Sequence, residues 1–121
     1  MSERTVGFEG EDANPLFEAA SVFSMLGVRV DLHTTGFSAT FIDGQRERAL
    51  CASTTPLKVT GAGDAWNAGD IFAQGMGLEH RERLVFANAT AAAYMRRPDL
   101  KPCSMTEILQ QVGEIEKLNP R

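Results

Sequence analysis

The amino-acid sequence predicts an α/β fold in which helices cover a small β-sheet. The first observation is the order of patterns: one helix, a strand, a hairpin, a strand-like segment and then three helices. The second is composition, because 43% hydrophobic and 23% charged residues are typical of a globular domain. The third is that only a few strands are predicted beside four helices, an arrangement that leaves one edge and one face of the sheet uncovered. The 121 residues therefore predict a single, partial domain.

The first helix follows a lead-in loop over residues 1–11, which show little periodicity. Asn14 is a suitable N-cap because Pro15 then takes the first helical position, and Gly27 ends the pattern. We expect this helix to pack on the sheet through its apolar stripe. The residues of that stripe are Leu16, Ala19, Ala20, Phe23 and Leu26.

The strand region begins with VRVDLH, residues 28–33, whose apolar residues alternate. Residues 38–42 and 45–53 flank Asp43-Gly44, a dipeptide that favours a type I′ turn and so predicts a hairpin. Residues 53–60 then form a loop and a strand-like lead-in to the next motif.

Three more helices follow. The first begins after Gly63 and ends at Gly75, the second runs from Glu79 to Met95, and the capping box Ser104–Glu107 opens the last. The predicted buried residues are Ala65, Ala68, Ile71 and Phe72, then Leu84, Ala87, Asn88, Ala91 and Met95, and finally Ile108, Val112 and Ile115.

Charge and cysteine content argue against several classes of function. With 16 acidic and 12 basic residues, the net charge of −4 disfavours nucleic-acid binding, which needs an excess of Lys and Arg. No apolar run is long enough to span a membrane, and the acidic first residues are unlike a signal peptide. Cys51 and Cys103 lie far apart without a CxxC motif, which is typical of reduced cysteines in a cytoplasmic protein.

Residues 60–69, TGAGDAWNAG, suggest chemistry. Gly61 and Gly63 permit a turn that brings backbone N–H groups close to a ligand. The helix behind the turn directs unpaired N–H groups and its positive dipole end to the same place, which suits a phosphate or another anion. Asp64 can serve as N-cap, and it also places a carboxylate beside that anion site, as phosphoryl transfer requires. Taken alone, these residues also fit a capped helix after a glycine-containing loop.

Two further segments accompany this motif. VDLHTTGF, residues 30–37, joins a strand to a glycine turn, and FANATAAAY, residues 86–94, is an alanine- and asparagine-rich helix. In this order the three segments resemble the nucleotide-binding part of the ribokinase-like (PfkB) carbohydrate kinases, over residues 28–95. The resemblance implies a three-layer α/β/α ribokinase-like fold, of which this chain is the C-terminal part.

The resemblance also implies an activity. ATP would donate a phosphoryl group to a hydroxyl of a sugar, nucleoside or related alcohol. Asp64 would be the catalytic base that takes the proton from this hydroxyl. The backbone amides of Gly61, Ala62 and Gly63 would form an anion hole for the transferring group.

Nucleotide contacts follow from the same resemblance. Thr34, Thr35 and Gly36 would lie along the nucleotide, and Asn88 would lie near its adenine. Mg²⁺ would accompany ATP through phosphate oxygens and water, with no direct protein ligand.

Two positions depart from the family pattern. Lys58 stands where the family has an aspartate near its monovalent-cation region, which here comprises Lys58 and Thr60, and this argues against potassium activation. The Lys58 ammonium either occupies the place of that ion or is solvated. His33 replaces the usual first turn glycine, and it either stacks near the nucleotide or makes ordinary hydrogen bonds at the end of its strand.

Other side chains have structural interpretations. Trp66 and Phe72 are expected in the core, and Asp70 is expected to be solvated or ion-paired on a different face from Asp64. The charged residues 79–83 predict a solvated helix start.

The family's N-terminal half, with most of the sheet and the acceptor site, has no counterpart in this sequence. We therefore expect self-association or a missing N-terminal half. A non-catalytic domain for nucleotide binding, anion binding or assembly is the alternative function, and an unrelated α/β enzyme with a chance GAGD is a third.

Overall fold

The computed structural model of the protein describes residues 15–34, 36–51, 60–99 and 101–121. Its elements are α1 (Pro15–Ser24), β1 (Val30–His33), β2 (Phe37–Ile42), β3 (Gln45–Leu50), α2 (Ala62–Gly75), α3 (His80–Arg96) and α4 (Met105–Leu118). This order confirms the predicted α/β fold class. The predicted lead-in loop at 1–11, the cap Asn14 and the strand-like residues 57–59 lie outside the described residues.

The three strands form one antiparallel sheet in the order β1-β2-β3. β2 and β3 meet at Asp43 and Gly44, whose φ angles of 52° and 80° are the positive values that a type I′ turn needs. The predicted hairpin is therefore confirmed. Within the described ranges β1 pairs only with β2.

Helices cover both faces of this sheet. Alternate residues of a strand point to opposite faces, and on β2 Ala39 and Phe41 belong to a core cluster with α1. On the opposite face, Ala49 of β3 belongs to a second cluster built mainly from α2, α3 and α4. The order of layers is therefore helix, sheet, helices.

α1 buries Ala20 of the predicted stripe, but its other buried residues lie outside that stripe. Phe17, Ala20 and Ser24 are buried, and the Phe17 ring lies 5.3 Å from that of Phe37 and 5.5 Å from that of Phe41. The apolar residues that remain exposed in this segment are Leu16, Val22, Phe23, Met25 and Leu26. The pattern misled because apolar residues occur on both sides of α1, and the aromatic contacts with β2 decide which side packs.

α2 and α3 approach each other closely at Gly69. A Cβ atom at this position would lie 2.5 Å from Thr90 Oγ1 and 2.8 Å from Thr90 Cβ. Trp66 is buried as predicted, but Ile71 is 69% exposed and Phe72 48% exposed, so the predicted buried face of α2 is wrong. The face that packs carries Trp66, Gly69, Asp70 and Ala73, because small residues let the two backbones come together.

A buried ion cluster joins β1 to α2 and α3. The Arg83 guanidinium, 1% exposed, contacts the carboxylates of Asp70 and Asp31. Arg29 Nη2 lies 2.9 Å from Asp31 and 3.4 Å from Asp70, and Thr40 Oγ1 donates a hydrogen bond of 2.6 Å to Asp31. Asp70 is thus ion-paired, but Arg83 does not lie on the solvated face predicted for residues 79–83.

The pKa values of the two carboxylates in this cluster are shifted in opposite directions. Burial raises the pKa of Asp70, and the neighbouring Asp31 adds to this effect against the opposing effect of Arg83. Burial alone would also raise the pKa of Asp31. Its hydrogen bonds with Asp70 and Thr40 and the charge of Arg83 outweigh burial and lower this pKa.

α3 and α4 complete the helical layer. Leu84, Ala87 and Asn88 are buried as predicted, while Ala91 and Met95 are partly buried. The capping box of α4 is also confirmed, since Ser104 Oγ accepts from the Glu107 N–H while the Glu107 carboxylate accepts from the Ser104 N–H. None of the described helices is both long and apolar enough to cross a membrane.

Candidate functional site

The turn before α2 is closed around Gly61. This residue is the N-cap and has a φ of 91°, a left-handed conformation that favours glycine. The Tyr94 hydroxyl donates a hydrogen bond of 2.5 Å to the Thr60 carbonyl, and a Cβ on Gly61 would lie 2.5 Å from the Tyr94 oxygen. The turn therefore requires glycine for both conformation and space.

The start of α2 contains Ala62 and Gly63, two of the three residues of the predicted anion hole, and Gly61 precedes it as the N-cap. The first helical hydrogen bond joins the Ala65 N–H to the Gly61 carbonyl at 3.0 Å. The N–H groups of Ala62, Gly63 and Asp64 precede it and have no acceptor within the helix. They lie at the positive end of a helix of 14 residues, which favours an anion.

Asp64 is the third residue of α2 and does not cap it. The N-cap residue is Gly61, and no side chain makes a cap hydrogen bond there, so the predicted capping role of Asp64 is wrong. The Asp64 side chain is exposed, and no hydrogen bond or ion pair joins it to another described residue. It borders a cavity of about 430 Å³ between α2, α3 and the segment before α4.

A second cavity, of about 260 Å³, lies against another face of the same helix start. It is mostly apolar, as small-molecule sites are. Its lining residues are His33, Thr34, Cys51, Ala62, Gly63, Trp66, Asn88, Ala91, Ala92 and Met95. We call it the His33 cavity. It brings together Thr34 and Asn88, two of the predicted nucleotide contacts, with two members of the predicted anion hole.

The side chain of Asn88 is already used by the protein. Its Oδ1 accepts a hydrogen bond of 2.8 Å from Trp66 Nε1, and its Nδ2 donates to the carbonyls of Ala49 and Leu50 at 3.4 and 3.2 Å. Asn88 therefore fixes the cavity wall and the indole ring, and it offers a ligand mainly packing contact.

The glycine turn after β1 is held by Thr34. The Thr34 hydroxyl accepts from the Gly36 and Phe37 N–H groups at 3.2 Å each, and the Thr34 N–H donates to the Phe37 carbonyl. Gly36 is exposed and does not line the His33 cavity. Thr35 and Lys58 lie outside the described residues.

Cys51 closes one side of the His33 cavity as a neutral thiol. Burial raises its pKa to about 12, so the thiolate form is negligible at neutral pH. Its sulfur lies 3.8 Å from the Thr34 carbonyl oxygen. Cys51 therefore contributes to the cavity by packing.

A stacked pair of rings was missed by the sequence-based interpretation. The His33 imidazole lies on the Trp66 indole, with ring centroids 4.5 Å apart and planes at 20°. This contact with Trp66 is neither of the two alternatives predicted for His33, which were stacking near the nucleotide and ordinary hydrogen bonds at the end of the strand. The sequence separates these residues by a hairpin and a loop, so only their contact in the fold reveals the pair.

Among the described residues no three His, Cys, Asp or Glu side chains are grouped as a metal site. Asp64 supplies a single carboxylate near the anion hole.

Two solved structures show the same arrangement of elements. An E. coli protein assigned as ribokinase II, in its apo form, matches 71% of this chain with a TM-score of 0.63 and 19% identity. The 2-dehydro-3-deoxygluconokinase of Thermotoga maritima matches 93% of it with a TM-score of 0.58 and 18% identity. These matches span 29% and 37% of the two neighbours, respectively.

Sequence comparison alone adds nothing to this. No protein-family model matches the chain, and no curated protein matches it. At such low identity the structural likeness shows the fold. The chain therefore has part of the ribokinase-like α/β fold found in these sugar kinases.

Proposed function

We propose that this chain is the nucleotide-binding and catalytic-base portion of a kinase that phosphorylates a hydroxyl of a sugar, nucleoside or related alcohol with ATP. The observation that carries the proposal is the start of α2. There, unpaired amides lie between the exposed Asp64 carboxylate on one helix face and the His33 cavity on another. Anion binding alone would not place a carboxylate there, because like charges repel.

In the proposed reaction the acceptor oxygen bonds to the γ-phosphorus while the bond from phosphorus to the ADP oxygen breaks. Asp64 accepts the proton that the acceptor hydroxyl loses as its oxygen bonds to phosphorus, and the protonated carboxyl then releases this proton to water. The amides of Ala62 and Gly63 donate hydrogen bonds to the transferring phosphoryl oxygens. Nucleotide would occupy the His33 cavity, and the acceptor would lie on the Asp64 side.

Two expectations about metal ions accompany this proposal. Mg²⁺, bound to phosphate oxygens, would neutralise charge during transfer. We propose that potassium is not needed, because Lys58 replaces the family's aspartate. Equal rates in sodium and potassium salts are expected, and a rate that requires potassium would contradict this. We also propose a cytoplasmic location, because ATP is the proposed donor and Cys51 and Cys103 form no disulfide.

The test of the reaction supplies ATP, Mg²⁺ and a panel of sugars and nucleosides. It uses the chain and, where the gene encodes a longer product, that product. Asp64→Asn should lower kcat by about 10²–10⁴-fold, the usual contribution of a general base. Asp43→Asn is the matched control, since Asp43 is an exposed carboxylate in the hairpin turn and Asn is also suited to positive φ. Equal rates in both variants would refute the role of Asp64.

A second candidate function is nucleotide or anion binding without catalysis. It is favoured by the 29% and 37% of the two neighbours that this chain spans, since most of each neighbour has no counterpart here. Calorimetry with ATP distinguishes the two functions. Binding by the chain with no transfer to any acceptor, also in a longer product, would support this candidate.

We also propose that the exposed apolar surface is covered in the working protein. Leu26 is 74% exposed and Ile71 69%, and β1 has an open edge in the described structure. A second copy or the missing half of the fold would bury such a surface. Sedimentation should show self-association of the chain alone. A monomer that binds no hydrophobic dye would contradict the proposal.

A further inference from the structure

One side chain of α4 does not follow the apolar pattern of its buried face. The buried residues of this helix are Ile108, Gln111 and Ile115, so Gln111 takes an apolar position between two isoleucines. It is 8% exposed, and its Oε1 atom is enclosed with no hydrogen-bond partner among the described residues. A buried amide in this state lowers stability, so its presence calls for an explanation.

Gln111 lines a cavity of about 440 Å³ between the end of α3 and the first turns of α4. We call it the Gln111 cavity. Besides Gln111, its polar lining residues are Arg96, Arg97, Glu107 and Gln110. None of its lining residues lines the His33 cavity or the cavity beside Asp64, so the Gln111 cavity is a separate site.

The ionisable residues that line this cavity carry one net positive charge, since they are Arg96, Arg97 and Glu107. The Arg97 guanidinium is held in place, because its Nη1 donates to the two Glu107 oxygens at 2.7 and 2.8 Å. Asp99 also pairs with Arg97, but it does not line the cavity and its side chain is 46% exposed, so water weakens its effect. A ligand with a single negative charge would therefore balance the lining.

We propose that the Gln111 cavity binds a small hydroxy acid, a molecule with one carboxylate and a neighbouring hydroxyl group. The carboxylate lies beside the guanidinium groups, which suit its planar pair of oxygens. The hydroxyl shares a hydrogen bond with the Gln111 amide, which can turn to present either its oxygen or its NH₂ because the two ends have nearly the same shape. Ala93 and Pro98 supply an apolar wall for the carbon skeleton. An amino acid suits the cavity less, because its ammonium group cancels the charge of its carboxylate.

The first experiment titrates the chain with three related compounds and follows the NMR signals of the Gln111 side-chain NH₂. Mandelate has both the carboxylate and the hydroxyl, phenylacetate lacks the hydroxyl, and mandelamide lacks the charge. Millimolar mandelate should shift the Gln111 signals, and it should bind about tenfold more tightly than either other compound, as one charged hydrogen bond contributes. Equal affinity for mandelate and either other compound would overturn the proposal. Absence of a shift with mandelate would also overturn it, and this is the result expected if water alone satisfies the amide.

The second experiment uses Gln111→Met, which keeps the length of the side chain without its hydrogen-bonding groups. Mandelate affinity should fall about tenfold. The urea midpoint should rise, because an unsatisfied amide has left the apolar face of α4. Gln45→Met is the matched control and should change neither quantity, since Gln45 is exposed at the start of β3 and lines a different cavity. Unchanged mandelate affinity or a lower urea midpoint in Gln111→Met would overturn the proposal.

The third experiment tests the charge with Arg96→Gln, because removing Arg97 would also leave Glu107 unpaired. Mandelate affinity should fall about tenfold while mandelamide affinity stays the same. An equal loss for both compounds would contradict the role of the cation. The site is independent of the kinase proposal. Mandelate binding by a chain that transfers no phosphoryl group would support the site, whereas phosphoryl transfer without mandelate binding would overturn the site alone.

Discussion

Gly69→Ala tests whether the close approach of α2 and α3 holds the site together. The added Cβ would lie 2.5 Å from Thr90 Oγ1, 2.8 Å from Thr90 Cβ and 3.1 Å from the Cα of Ala87. Rotating Thr90 cannot relieve the last two contacts, and it would break the hydrogen bond from its hydroxyl to the Phe86 carbonyl. The helices must therefore separate.

Two unfavourable effects and one favourable effect set the size of the change in the free energy of unfolding. Overpacking costs about 1–3 kcal/mol, and the lost Thr90 hydrogen bond costs about 1 kcal/mol. Replacing glycine inside a helix gains about 1 kcal/mol. The free energy of unfolding should therefore fall by about 1–3 kcal/mol. Because Trp66 and Asn88 join the same two helices, Trp66 emission should change too.

The assay is urea unfolding of Gly69→Ala beside a matched control, Gly113→Ala. Gly113 is exposed within α4, and no atom lies within 4 Å of its added Cβ, so this variant should gain up to about 1 kcal/mol. Adding Thr90→Ala removes the nearest contact and should restore part of the loss in Gly69→Ala. Equal stabilisation by both glycine substitutions would refute the packing argument.

Two further predictions concern ionisable groups. Arg83→Met should lower the free energy of unfolding by about 3–5 kcal/mol, because it leaves buried Asp70 without its main partner. Adding Asp70→Asn should recover much of this loss. If urea unfolding shows no loss of stability in Arg83→Met alone, the role of the ion cluster is contradicted. The hydrogen bond from the Ser104 N–H lowers the pKa of Glu107 from its ordinary value of 4.5. The ionised Glu107 carboxylate therefore stabilises the fold above pH 4.5, and this stabilisation is lost as pH falls through the lowered pKa. Acid unfolding of Glu107→Gln should depend less on pH than that of the protein, and identical slopes would count against the capping box.

Local chemistry predicted several elements correctly. The Asp43-Gly44 hairpin and the capping box of α4 depend on residues within a few positions of each other, so their hydrogen bonds and φ angles follow from the sequence. The resemblance of three collinear segments also predicted the fold class, because it implied an arrangement that no single element could specify. Both solved neighbours agree with that fold.

Burial was predicted less well. The large apolar residues Ile71 and Phe72 predicted one face of α2, but the packed face carries Gly69 and Asp70. Asp70 can be buried because Arg83 and Arg29 reach it from other elements. Apolar periodicity does not register such compensation, since it counts side chains of one segment only.

The sequence by itself determined that a glycine turn leads into α2 with the carboxylate of Asp64 near the helix start, because these features depend on backbone conformation over a few residues. It placed the first helical residue after Gly63, whereas α2 begins at Ala62. Only the tertiary structure decided which side chains from other elements contact this turn. Tyr94 closes it from α3, and His33 reaches it from β1 by stacking on Trp66. Those contacts join residues 34 and 33 positions apart, respectively, and each depends on how the helices pack on the sheet.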